Sequence, residues 1–135
     1  MDTIVTYRGG VQFEVDARGH KVICDQPLDN GGENAGMSPP EFLLASLGTC
    51  AAFYAAQYLR TRQLPADGLE VRVNATKELG PARLAAFRIE IRVPGLDDER
   101  HQAGVLRAAK SCLIHNTLLQ PPRIELTLDT APVSA

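Results

Sequence analysis

The chain has no tryptophan, an aromatic fraction of only 5% and three cysteines, and its 135 residues carry almost no excess charge, a formal net of −2. Three cysteines are too few for a disulfide scaffold, and their number is odd. The faint acidic balance argues against nucleic acid or an anionic membrane surface as the main partner. The opening stretch MDTIVTYRGG lacks a basic segment followed by an apolar run. No signal peptide is therefore expected, and a cytoplasmic protein with free thiols is the default. His20, His101 and His115 are scattered, with no cysteine or histidine at metal-ligand spacing around them. A Gly-x-Ser-x-Gly elbow is missing, which speaks against a serine hydrolase. The basic spot of Arg60 and Arg62 beside Tyr58 reads as a solvated helix end, where cations are favoured.

What is present suits one folded domain over residues 1–135. Hydrophobic residues make up 44% of the chain and charged residues 22%, and this length buries enough surface to fold without a metal or a disulfide. Val11, Phe13 and Val15 alternate with polar residues in the period of a half-buried strand, and Lys21 to Cys24 reads as its return across an Ala17-Arg18-Gly19 turn. Ile4 to Tyr7 is a further candidate strand. Asp29 to Gly36 is polar and glycine-rich, lacks the Gly-Lys-Ser/Thr ending of a phosphate loop, and reads as a flexible connector.

Ser38-Pro39-Pro40-Glu41 is a helix start, with serine at the N-cap, proline at the first helical position and glutamate three residues after the cap. From Phe42 to Leu59 there is no charge, a length at the lower limit for a membrane span. Ser46, Gly48, Thr49 and Gln57 dilute this run, and amphipathic strands flank it. It is expected to be a central core helix buried on most faces. Leu69 to Thr76 and Phe87 to Val93 alternate as two strands with one wet face. Asp97 is placed to cap a second helix, whose apolar stripe runs through Val105, Leu106, Ala108, Ala109, Cys112 and Leu113 until Pro121-Pro122 stops it. Ile124, Leu126 and Leu128 suggest a final strand. The order predicts an α+β fold, an antiparallel sheet packed on the buried helix plus a second helix that bears a cysteine.

Cys50 falls in the middle of the first helix and Cys112 on the stripe of the second. Either alone reads as a small buried hydrophobe. Two on helices that share one core suggest a redox pair, in which one thiolate attacks an oxidant and the other resolves the sulfenic acid. The first thiol then needs a cation or hydrogen-bond donors to lower its pKa. Cys24, on the returning strand, packs or faces solvent and carries no role. A cysteine-hydrolase trio of Cys50, His115 and Asn116 has no support from neighbouring sequence.

Ser-Pro-Pro-Glu-Phe-Leu-Leu-Ala-Ser-Leu-Gly-Thr-Cys, Ser38 to Cys50, resembles the signature helix of the OsmC/Ohr family, osmotically inducible protein C and the organic hydroperoxide resistance proteins. Ser-Cys-Leu-Ile-His-Asn-Thr-Leu, Ser111 to Leu118, is similar to its second cysteine motif. The resemblance implies an intertwined homodimer with active sites at the subunit interface. It implies reduction of small apolar hydroperoxides to alcohols, with Cys50 as the reactive cysteine and Cys112 as the resolving one. A dithiol, including protein-bound lipoyl groups, would regenerate the pair, and no metal or flavin takes part.

The sequence also departs from the peroxidase pattern. Pro40 stands where those members place a glutamate, ten residues before the first cysteine. Glu41 is nine before it, and nine steps of about 100° set it on the opposite face from Cys50, so it is better explained as the capping residue. Arg8 and Arg18 are the candidates for the family's N-terminal arginine. Leu113 follows the second cysteine where proline is usual. Two functions are therefore weighed: a two-cysteine thiol peroxidase of oxidative stress defence, favoured by the pair, and a small-ligand-binding protein on the same fold, favoured by the missing glutamate.

Overall fold

A computed structural model describes residues 1–134. Three antiparallel strands open the chain, β1 (Ile4–Gly9), β2 (Gln12–Ala17) and β3 (His20–Cys24), ordered β1-β2-β3. Val5 pairs with Val15, and Phe13 with both Tyr7 and Cys24. The β2–β3 turn places Arg18 at φ 56° and Gly19 at φ 84°, the two positive values that suit a right-twisted two-residue hairpin. Asp16 Oδ1 accepts from the Gly19 N–H at 2.9 Å and closes it.

The loop after β3 is not the loose connector its composition suggests. It is wound around Asp25, which is completely buried. The Asp25 carboxylate accepts N–H bonds from Gln26 (2.8 Å), Glu33 (3.1 Å) and Ala35 (3.0 Å), and one from Gln12 Nε2 at 3.0 Å. The Asp25 N–H donates to the Met37 carbonyl at 3.2 Å, tying the far end of the loop to β3. Glycines, which suggest slack by composition, here let the chain approach itself. A side chain on Gly36 would collide with the Ile23 carbonyl.

Helix α1 (Pro39–Thr61) follows directly. The expected capping box is present: Glu41 Oε1 accepts from the Ser38 hydroxyl at 2.7 Å and from the Ser38 N–H at 3.1 Å. The Ser38 hydroxyl is the main cause holding the Glu41 carboxyl below the ordinary glutamate pKa. By length and composition alone α1 could cross a membrane. It packs instead on α2 (Glu99–Lys110), α3 (Leu113–Leu119) and β4 (Glu70–Glu78). Burial on most faces is not met within the chain. Leu47, Gly48, Ala51, Ala55 and Leu59 form one buried stripe, whereas Phe53 is 62% exposed on another side. The apolar run is longer around the helix than the surfaces one chain offers to cover it.

Strands β4 and β5 (Arg83–Arg92) make a second, separate antiparallel sheet. Val71 pairs with Ile91, Val73 with Ile89 and Ala75 with Phe87, giving the predicted apolar face. Gly48 lets α1 close on this face, since a side chain there would press on Val73. Helix α2 starts one residue later than expected, with Asp98 rather than Asp97 as its cap, accepting from the Arg100 N–H at 2.9 Å. It stops at Lys110, so Cys112 and Leu113 are not on it. The Ser111 and Cys112 N–H groups turn back to the Ala108 and Ala109 carbonyls, tightening and ending the helix, and α3 begins anew. No strand forms around Ile124, Leu126 and Leu128, which are 80%, 93% and 88% exposed. A strand needs a neighbouring ladder, and neither sheet of the chain pairs with this segment.

Asp25 generates a pH prediction. Burial raises its pKa, but the N–H bonds from Ala35, Gln26 and Glu33 and the Gln12 amide outweigh burial and leave it below the ordinary 3.8. A carboxyl with a lowered folded-state pKa stabilises the fold above its unfolded value and loses that contribution as pH falls through the folded one. Asp25→Asn is expected to lower the urea midpoint near neutrality and to differ less from the native sequence at about pH 2. An equal gap at both pH values would contradict this role.

Candidate active site

Cys50 sits in mid-helix, two turns before the Tyr58 anchor of α1. The Tyr58 hydroxyl and His101 Nδ1 share a 3.0 Å hydrogen bond, and the Arg62 guanidinium lies 3.7 Å from the centre of the Tyr58 ring. Gly104 gives the ring room to cross α2, since a side chain there would collide with it. Together with the packing of Ala55, Leu59 and Val105, this fixes α1 against α2. Cys112 is delivered by the break between α2 and α3.

The two cysteines meet. They form a disulfide between residues 62 apart in sequence, with Cα atoms 5.7 Å apart, inside the ordinary 4.4–6.8 Å span of such bonds. Cys112 is fully enclosed and Cys50 only half-buried, so a small molecule entering from solvent reaches Cys50 first. Cys112 is the N-cap of α3, and its Sγ accepts from the His115 N–H at 3.4 Å. An apolar pocket of about 240 Å³ is lined by Leu47 and His115, each three residues along the chain from one of the cysteines, by Phe87 and Ile89 of β5, and by Leu118 and Leu119 of α3; neither cysteine lines it.

The other sequence candidates are elsewhere. Glu41 is engaged with Ser38 at the start of α1, as its angular position predicts. Arg8 pairs with Glu14 at 3.0 Å on the first sheet, and Arg18 occupies the β2–β3 turn. Among the described residues, neither bonds to Cys50. Cys24 is a free, buried thiol at the end of β3, and its backbone forms a parallel bridge with that of Met37. Asn116 is exposed and Cys50 is bonded to Cys112, so no hydrolase trio assembles. Among the described residues, no cluster of three His, Cys, Asp or Glu could hold a metal. Sequence reasoning missed Asp25 and the capping role of Cys112. The second had a signal in Cys-x-x-His, the same spacing as Ser38 to Glu41.

The family model for OsmC-like protein matches residues 31–127, from the loop before α1 to beyond α3. The chain belongs to the OsmC-like family. Solved structures agree on the OsmC-like fold. A putative osmotic stress induced and detoxification response protein from Psychrobacter arcticus superposes with a TM-score of 0.77 at 23% identity, over 85% of each chain. An OsmC-like protein from Mycoplasma pneumoniae gives 0.76 at 17% identity, over 89% of this chain and 87% of its own. An organic hydroperoxide resistance protein OsmC from Legionella pneumophila gives 0.61 at 18%, over 87% and 89%. No curated protein matches the sequence.

The span between the OsmC-like cysteines generates a stability prediction. A cross-link closing a loop of 62 residues removes chain entropy worth about 4 kcal/mol from the unfolded state. Reduction of the Cys50–Cys112 bond is expected to lower unfolding free energy by up to that amount, read from denaturant curves with and without a thiol. A Cys112→Ser variant should be as stable with thiol as without it.

Proposed function

We propose that the protein reduces organic hydroperoxides to alcohols through Cys50 and Cys112. The observation that carries this reading is the meeting of the pair, Cys50 half-buried and Cys112 enclosed, with Leu47 and His115, each three residues from one of them, lining an apolar pocket. The Cys50 thiolate attacks the terminal peroxide oxygen; the S–O bond forms, the O–O bond breaks, and the departing alkoxide takes a proton and leaves as the alcohol. The Cys112 thiol then displaces the hydroxyl of the Cys50 sulfenic acid as water, forming the disulfide. An external dithiol reduces that bond and is itself oxidised to a disulfide. The apolar pocket suits the organic part of such a peroxide, since lining carbons exclude water and reward apolar contact. Relatives from Legionella pneumophila and Elizabethkingia anophelis carry the name organic hydroperoxide resistance protein.

The reading includes a homodimer acting in the cytoplasm. Exposed Ile4, Val5 and Tyr7 on β1, Phe53 on α1, and Ile124, Leu126 and Leu128 near the C-terminus offer a second copy more apolar surface than a lone chain normally leaves wet. A second reading, a small-ligand-binding protein on the same fold, is favoured by one observation. Glu41 is occupied by its cap, and no arginine among the described residues bonds to Cys50 to activate it.

Mixing reduced protein with an organic hydroperoxide and counting peroxide and thiols over time separates the two. The enzyme reading expects one peroxide lost per Cys50–Cys112 disulfide formed, and loss of this activity in Cys50→Ser. Equal consumption by that variant sinks the mechanism, and no consumption by the native chain favours the binding protein. Sedimentation is expected to give twice the mass of one chain, and a monomer at micromolar concentration would refute the dimer.

A further inference from the structure

We propose that His115 is the proton acceptor for Cys112 when that thiol closes on Cys50, and that the proton passes to the departing group. The inference rests on reading the two cysteines as a working redox pair. Cys112 is fully enclosed in the disulfide-bonded form, and a thiol that stays so shielded has no direct path to hydroxide. An ordinary cysteine is mostly protonated at neutral pH, and only the thiolate attacks. Closure therefore needs a base inside the site. Glu41 is bound to Ser38, Arg8 to Glu14, and Asp25 serves the loop before α1.

His115 is the titratable group that the geometry leaves for this task. Cys112 is the N-cap of α3 and His115 the third residue after it, donating its N–H to Cys112 Sγ. In this relation the side chain of the third residue reaches back towards the cap. The same chain realises it at α1, where Glu41, third after the Ser38 cap, accepts the Ser38 hydroxyl proton at 2.7 Å. At α3 Cys and His take these two places, and half of the box is formed: Cys112 Sγ accepts the His115 backbone N–H, while the Cys112 N–H donates to the Ala109 carbonyl. Among the described residues the His115 ring makes no hydrogen bond, unlike His101, whose Nδ1 is held by Tyr58. It lines that apolar pocket, where it is the one ionisable lining group. In the disulfide form Cys112 has no proton to give, and the ring is unengaged.

The step balances. Cys112 Sγ–H gives its proton to the imidazole, the sulfur electron pair forms the S–S bond to Cys50, and the Cys50 S–O bond breaks. The hydroxide leaving Cys50 takes the proton back from the imidazolium and departs as water, so His115 ends neutral.

Closure is measurable without peroxide. Reduced protein is treated with an aromatic disulfide whose released thiolate absorbs visible light. One release marks capping of Cys50, and a second marks attack by Cys112 on that mixed disulfide. In His115→Gln the second release is expected to slow by about 100-fold relative to the first, the scale of a lost general base. In His115→Ala, added imidazole is expected to restore the second release, which a purely structural role of His115 would not allow. An unchanged second release in His115→Gln, or no rescue by imidazole in a His115→Ala protein that melts like the native one, overturns the proposal. A native chain that closes its pair yet consumes no hydroperoxide would defeat the peroxidase reading and leave this one standing.

Discussion

The close packing of one stripe of α1 is the constraint on which the structure depends. Leu47, Gly48, Ala51, Ala55 and Leu59 are buried along one side of 23 residues of helix. Small residues dominate this stripe, so neighbouring backbones come near enough for short side chains to touch. Gly48 admits β4, and Gly104 admits the Tyr58 ring. The same closeness lets Cys50, beside Ala51, span to Cys112 with Cα atoms only 5.7 Å apart. Larger residues along the stripe would force the helices apart and separate the sulfurs. Leu47 and Leu59 supply the adhesion, at about 1.5–3 kcal/mol for each fully buried side chain.

The rest of the apolar inventory points outward. Phe53 on α1, Ile4 and Val5 on β1, and Leu126 near the C-terminus are all more than half exposed, and the first sheet finds little of the chain to pack on. Such surface is costly in water and marks where a protein meets something else. The near-absence of net charge fits this arrangement, because a strongly charged chain would repel a second copy of itself.

The candidate site was partly legible. The run from Ser38 to Cys50 announces its own helix, cap and cysteine through local rules that need no tertiary knowledge: a side chain that satisfies N–H groups, a proline that tolerates the first turn, and uncharged residues in helical spacing. Cys112 was harder. Apolar spacing continues smoothly from Val105 through Leu113, and nothing in that pattern reveals that the helix ends at Lys110 and restarts. The break follows from tertiary demand, since an N-cap has extended ψ and presents its side chain sideways to a neighbour. Asp25 was invisible for a related reason. A single acidic residue before a glycine-rich stretch looks solvated until the loop folds over it and its N–H groups converge.

Local alternation and capping, written in the sequence alone, determined the kinds of element and most of their order. They determined that Cys50 falls on a long uncharged helix, and that Glu41 belongs to a cap. Tertiary structure decided which surfaces meet. It divided the strands into two sheets, left α1 covered on one stripe rather than on most faces, withheld a partner from the final apolar segment, and set Cys112 and His115 at the head of a short third helix. The physical reason is one of range. Periodicity and capping act over one or two turns of chain, whereas pairing, burial and sulfur-to-sulfur contact are settled between segments 62 residues apart, where only packing compares the alternatives.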